Sequence, residues 1–129
     1  MRTFIIIISL LFSQALLACY APRSGQEFDN LIKLEKLSGL NKYRVTVPRK
    51  LEDLDDPKIT LAHTETDIKS VSTSEPHETL NPSFTSEAAS AEFTVEKNGN
   101  GKPYIVVSWS PKECCPCGIH AHTKYIDIE

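Results

Sequence analysis

The chain predicts a mainly β (α+β) fold, with one N-terminal helix packed on a small antiparallel sheet or sandwich of about five strands. Three observations carry that expectation. Tyr43, Val45 and Val47 alternate with polar residues, the run Tyr104–Trp109 is apolar at both parities, and Asn98-Gly99-Asn100-Gly101 sits between that run and the alternating stretch Ala91–Lys97. Asn and Gly accept the positive φ that a tight reversal requires.

The helix is expected to begin near Gly25. Ser24 stands three residues before Glu27, the spacing of a capping box in which each side chain satisfies a backbone N–H of the first turn. Phe28, Leu31, Ile32 and Glu35 then share a face, Leu34 and Leu37 widen the apolar arc, and Gly39 after Ser38 supplies a C-terminal stop. Glu27 and Glu35 read as capping and solvating groups.

The first strand covers residues 43–47, with Tyr43, Val45 and Val47 on the buried face, and Pro48 ends it. Leu51–Pro57 reads as an acidic loop; Asp53, Asp55 and Asp56 lack the Gly and the distant bidentate Glu of an EF-hand, so a solvated turn is expected. Ile59 and Leu61 suggest a second strand whose face His63 continues. From about 64 to 90 the composition turns to Ser, Thr, Glu and Pro. Such a stretch has little apolar side chain to offset its ordering entropy, which predicts a mobile segment containing His77, or a loosely packed coil anchored by Leu80 and Phe84.

Ala91–Lys97 and Tyr104–Trp109 are expected to pair as a β-hairpin. Because Ile105, Val107 and Trp109 oppose Tyr104 and Val106, the second of these strands should be central. A final strand over about Thr123 to Ile128 should return beside it. Ile126 and Ile128 share parity with His120 and His122, so either a bulge intervenes or the histidines lie in a loop.

The N-terminus carries an address. Met1-Arg2 is a small basic region, Phe4–Leu17 is almost wholly apolar, and Leu16-Leu17-Ala18-Cys19 closes the segment. About 14 apolar residues reach only about 21 Å as a helix, short of the roughly 30 Å hydrocarbon core, so residues 1–18 read as a removable signal peptide. Leu-Leu-Ala-Cys resembles the lipobox of bacterial lipoprotein precursors over residues 1–19. The resemblance implies that Cys19 becomes the mature N-terminus and carries acyl chains that hold the protein on a membrane. Tyr20, in place of the aspartate linked to inner-membrane retention in that class, implies the outer membrane facing the periplasm; secretion is the alternative.

Residues 19–129 then form a single small β-rich lipoprotein domain. With Arg2 removed, 13 Lys plus Arg face 17 Asp plus Glu, a formal charge of −4 that disfavours nucleic acid or an anionic membrane surface as the main partner. Beside the membrane that the lipid anchor implies, the competing partner reading is another envelope protein recognised through an exposed sheet or loop. Of 4 cysteines, Cys19 stands apart from Cys114, Cys115 and Cys117. If Cys19 is acylated, three thiols remain in an oxidising compartment and one lacks an intramolecular partner.

Cys114-Cys115-Pro116-Cys117-Gly118-Ile119-His120-Ala121-His122 is the chemically richest stretch. Cys115, Cys117, His120 and His122 offer the four soft or borderline donors that tetrahedral zinc requires, and copper(I) accepts the same set. The spacing departs from a zinc finger, whose ligand pairs stand about a dozen or more residues apart. Two other readings stay open. Cys114 and Cys117 could close a small disulfide ring, as could Cys115 with Cys117 under greater strain, or Cys114 and Cys117 could act as a Cys-x-x-Cys redox pair, although the βαβ context of thioredoxin-like proteins is missing. No catalytic constellation is established; Cys117 with His120 or His122 lacks an orienting group and an oxyanion donor. The expectation is a lipid-anchored envelope protein whose Cys/His-rich loop binds zinc or copper, against a disulfide-stapled interaction module.

Overall fold

The run that is apolar at both parities lies at the centre of the molecule. The computed structural model describes residues 23–64, 77–97, 101–111 and 118–128. Its larger sheet has five strands in the order β1 (Arg23–Ser24), β11 (Ile119–His122), β10 (Lys102–Trp109), β6 (Lys58–Thr64) and β7 (His77–Thr79). The smaller sheet has four, in the order β2 (Lys33–Lys36), β3 (Lys42–Pro48), β9 (Ala88–Thr94) and β8 (Ser83–Phe84). A further two-stranded hairpin joins β4 (Lys50–Leu51) to β5 (Leu54–Asp55). The mainly β character expected from alternation is thus observed.

One core fills the space between the two large sheets. Val45 and Val47 from β3, Ala89, Ala91 and Phe93 from β9, Ile59 and Leu61 from β6, Ile105, Val107 and Trp109 from β10, and Ile119 and Ala121 from β11 all join it. Each fully buried large aliphatic side chain here is worth roughly 1.5–3 kcal/mol relative to exposure. Trp109 is completely buried, and its indole N–H donates to the Pro48 carbonyl at 2.9 Å, bonding one sheet to the other. Tyr43 stacks on Phe93 at 5.9 Å and donates its hydroxyl to the Asp127 carbonyl at 2.6 Å.

The expected hairpin of residues 91–97 with 104–109 does not form. β9 pairs with β3 and β8, while β10 pairs with β6 and β11. The chain between them crosses from one sheet to the other. The physical reason is the number of apolar rows: Phe93 and Val95 need a cover, and so do Ile105, Val107 and Trp109, and stacking the two sheets buries both rows against each other.

The long N-terminal helix is also corrected. Only Gln26–Asp29 is helical (α1), Gly25 occupies its N-cap without a side-chain capping bond, and residues 33–36 form the edge strand β2. Register decides the matter. Glu35 lies opposite Arg44, which in turn lies opposite Glu92 on β9. The Arg44 guanidinium meets both carboxylates, at 3.4 and 2.6 Å, so three strands share one row of charge. All of β2 is exposed, and its charged residues protect an open sheet edge from further pairing.

The last strand lies earlier than expected. It spans Ile119–His122, and both histidines belong to it. The ladder with β10 breaks at Thr123, whose amide donates to Ile105 O while its hydroxyl accepts from the Ile105 amide, both at 2.9 Å. A side chain here takes the place of a backbone partner, and the phase shifts so that Ala121 and Ile126 both point into the core. The stretch expected to be mobile over 64–90 contributes β7, β8 and the start of β9 in its described part, with Leu80 buried and Phe84 half-exposed under the Arg49 guanidinium. The acidic loop is the β4–β5 hairpin, in which Lys50 faces Asp55 and Arg49 bonds Asp56 at 2.9 Å. Signal segment 1–18, Cys19, Cys114, Cys115, Cys117 and residues 65–76 lie outside the described residues.

Candidate functional site

The outward face of the larger sheet carries the two histidines singled out from the sequence. Side chains alternate along a strand, so with Ile119 and Ala121 in the core, His120 and His122 both face outward. The register sets His120 between Ser108 on β10 and Ser24 on β1, and sets His122 beside Val106. Beyond Val106 the same face holds a small apolar cluster of Ala62, Tyr104 and Val106, partly covered by Tyr125.

The two rings stand in different electrostatic settings. Burial pushes the His120 pKa down from 6.5, which keeps its imidazole neutral at neutral pH with a lone pair on one nitrogen. His122 Nδ1 lies 3.0 Å from the Thr123 carbonyl. A carbonyl only accepts, so Nδ1 carries the proton there and Nε2 is the ring's other nitrogen. That Nε2 lies 3.8 Å from Asp29 Oδ2, and Asp29 Oδ1 accepts the His122 backbone N–H at 3.0 Å. Asp29 therefore covers an edge donor of β11 and presents a carboxylate to the imidazole. An open groove of about 630 Å³ runs beside them, bordered by Gln26, Asp29, Asn30, His122, Lys124 and Tyr125.

Local sequence explains how these groups are held. Gly118, just before β11, sits so close to β10 that a Cβ on it would fall 2.4 Å from the Trp109 carbonyl oxygen. No larger residue fits, and this close approach locks the start of β11 against the end of β10. The Arg23 amide donates to the Gly118 carbonyl at 2.8 Å, adding β1 as a parallel neighbour. Cys117 is the residue before Gly118, so the cysteine-bearing stretch enters β11 directly. The three cysteines themselves lie outside the described residues.

Among the described residues no group of three or more His, Cys, Asp or Glu stands close enough to hold a metal ion. His63 and His77 do not join His120 and His122. His63 belongs to β6 on the core side, where its Nε2 is buried without a hydrogen-bond partner, and His77 belongs to the far edge strand β7. Asp29 is the participant that sequence reasoning missed; it lies 93 positions from His122, and no local pattern announces a contact of that range. No helix among the described residues is long and apolar enough to cross a membrane. No protein-family model, no curated protein and no solved structure matches the chain.

Proposed function

We propose that this is a lipid-anchored cell-envelope protein that binds a transition metal ion, zinc or copper(I), through Cys115, Cys117, His120 and His122. The observation that carries the reading is the pair of imidazoles on consecutive outward positions of β11. One is neutral through burial, and the other has its tautomer set by a backbone carbonyl. Metal-bound histidines characteristically donate their second ring nitrogen to a carbonyl or carboxylate, and the His122 Nδ1 contact is of that kind. Thiolates from the adjoining stretch would complete a four-donor set suited to a soft or borderline ion.

In this reading the protein supplies a binding site, and the anchor at Cys19 keeps it on the membrane. The test is intact-protein mass spectrometry of chain purified from an envelope, first under native conditions and then denatured with thiol alkylation. Acyl chains on Cys19, one metal ion per chain and three alkylatable thiols are the expected result. Two cysteines lost to a disulfide in a metal-free chain would overturn the metal reading in favour of a stapled interaction module. Cobalt(II) substitution adds a second readout, since a tetrahedral site with thiolate ligands gives intense visible and near-ultraviolet bands. His122→Ala should weaken zinc binding by at least the roughly 10- to 100-fold that loss of an outer-shell partner alone costs.

A further inference from the structure

We infer that the end of the sandwich carrying Arg23, the β4–β5 hairpin and Phe84 is the face turned to a lipid bilayer; the inference rests on the proposed acylation of Cys19. The register of the sheets fixes which residues share an end. Arg23 lies opposite Ile119, which lies opposite Trp109, and the Trp109 indole bonds Pro48 at the end of β3. Pro48 lies opposite Ala88, next to the turn where the Thr85 carbonyl accepts from Arg49. Glu52, at the tip of the β4–β5 hairpin, pairs with Arg23 itself. At the opposite end lie the Leu40 turn, Lys42 opposite Thr94, Lys102 opposite Thr64, and Asp127 under the Tyr43 hydroxyl.

Chain length then decides the orientation. Cys19 stands four residues before Arg23, and four residues span at most about 14 Å when fully extended. Along β10 the seven steps from Trp109 to Lys102 separate the two ends by about 24 Å. A molecule standing on its Leu40 end would hold Arg23 about 24 Å above the surface, out of reach of a 14 Å tether. Both ends carry an aromatic under a cation, Tyr125 under Lys102 at the far end where Leu40 is also 70% exposed, so the tether is what decides between them. Phe84 is 43% exposed with the Arg49 guanidinium 5.1 Å over its ring, a pairing suited to the headgroup boundary, where an apolar body and a charged tip are both accommodated. Trp109 and Gly118, the two ends of the β10–β11 connection, lie at this level too. His120, one strand position inward from Ile119, is the nearer of the two imidazoles to the bilayer.

The experiment uses the acylated, ¹⁵N-labelled chain in phospholipid nanodiscs with and without a gadolinium-chelate headgroup lipid, after flotation has established that the chain binds vesicles. Amide signals of Arg23, Glu52, Phe84 and Gly118 should broaden several-fold more than those of Leu40, Lys97 and Ile128. A chain that floats but broadens at the Leu40 end, or equally at both ends, overturns the orientation and leaves the anchoring intact. A chain that does not float overturns the anchoring, and the bilayer face with it.

Discussion

Gly118 shows how tightly single positions are constrained. The space a methyl group would need is occupied by the Trp109 carbonyl oxygen, whereas a Cβ on Gly25 would meet only the flexible Glu27 side chain at 3.7 Å. Gly118→Ala should therefore destabilise the fold by at least about 2 kcal/mol, since neither backbone can move without breaking the β10–β11 register. Gly25→Ala, which meets no obstruction but puts a poor N-cap residue on α1, should cost under about 1 kcal/mol, and urea unfolding of the two variants makes the comparison. Trp109→Phe keeps an aromatic ring in the core but leaves the Pro48 carbonyl without its donor, at a cost of roughly 1–3 kcal/mol plus the lost volume, measurable in the same way. The burial of Trp109 was legible from the run, apolar at both parities, that it ends. The constraint on Gly118 was not, because it comes from a backbone oxygen across the strand pair and not from any neighbour in sequence.

At the scale of elements, pairing overrode local preference. Residues 26–37 have the spacing of an amphipathic helix, yet only one turn forms, because β3 offers residues 33–36 a sheet edge and a charged row that a helix could not meet. The Glu92 carboxyl is held below its ordinary 4.5 first by the hydrogen bond from Arg44 and then by the charges of Arg44 and Lys42. A carboxyl whose folded pKa is depressed contributes stability that is present above its ordinary value and is lost as pH falls through the lower, folded value. Glu92→Gln should therefore match the parent at strongly acid pH and be less stable near neutrality, in unfolding curves taken from pH 3 to 7. The difference should be small and should shrink in 1 M salt, because these side chains are exposed. The cysteine and histidine motif was legible as composition, but its geometry was not. With the last strand expected four residues too late, the common face of His120 and His122 stayed hidden, and Asp29 became visible only once α1 lay against β11.

For the whole molecule, three pairings that tie the sheets together are remote in sequence. β3 meets β9, β6 meets β10, and β1 meets β11 with Arg23 opposite Ile119. Such topology predicts folding on the millisecond-to-second scale by stopped-flow, slower than a helical protein of this length. Hydrogen exchange should be slowest at Ile59, Ile105 and Val107, whose strands lie inside the larger sheet, and fastest across Arg23–Lys36, which sits at sheet edges and buries little. The strands with clean apolar patterns were legible because burial writes itself into alternation; the short edge strands β1, β2, β7 and β8 were not, because they bury almost nothing and exist only where a neighbour offers a ladder. The parallel seat of β1 on β11 has a consequence in time. A chain synthesised N-terminus first has nowhere to lay Arg23 and Ser24 until Ile119 and His120 have followed, so the earliest segment to be made is the last to be fastened down.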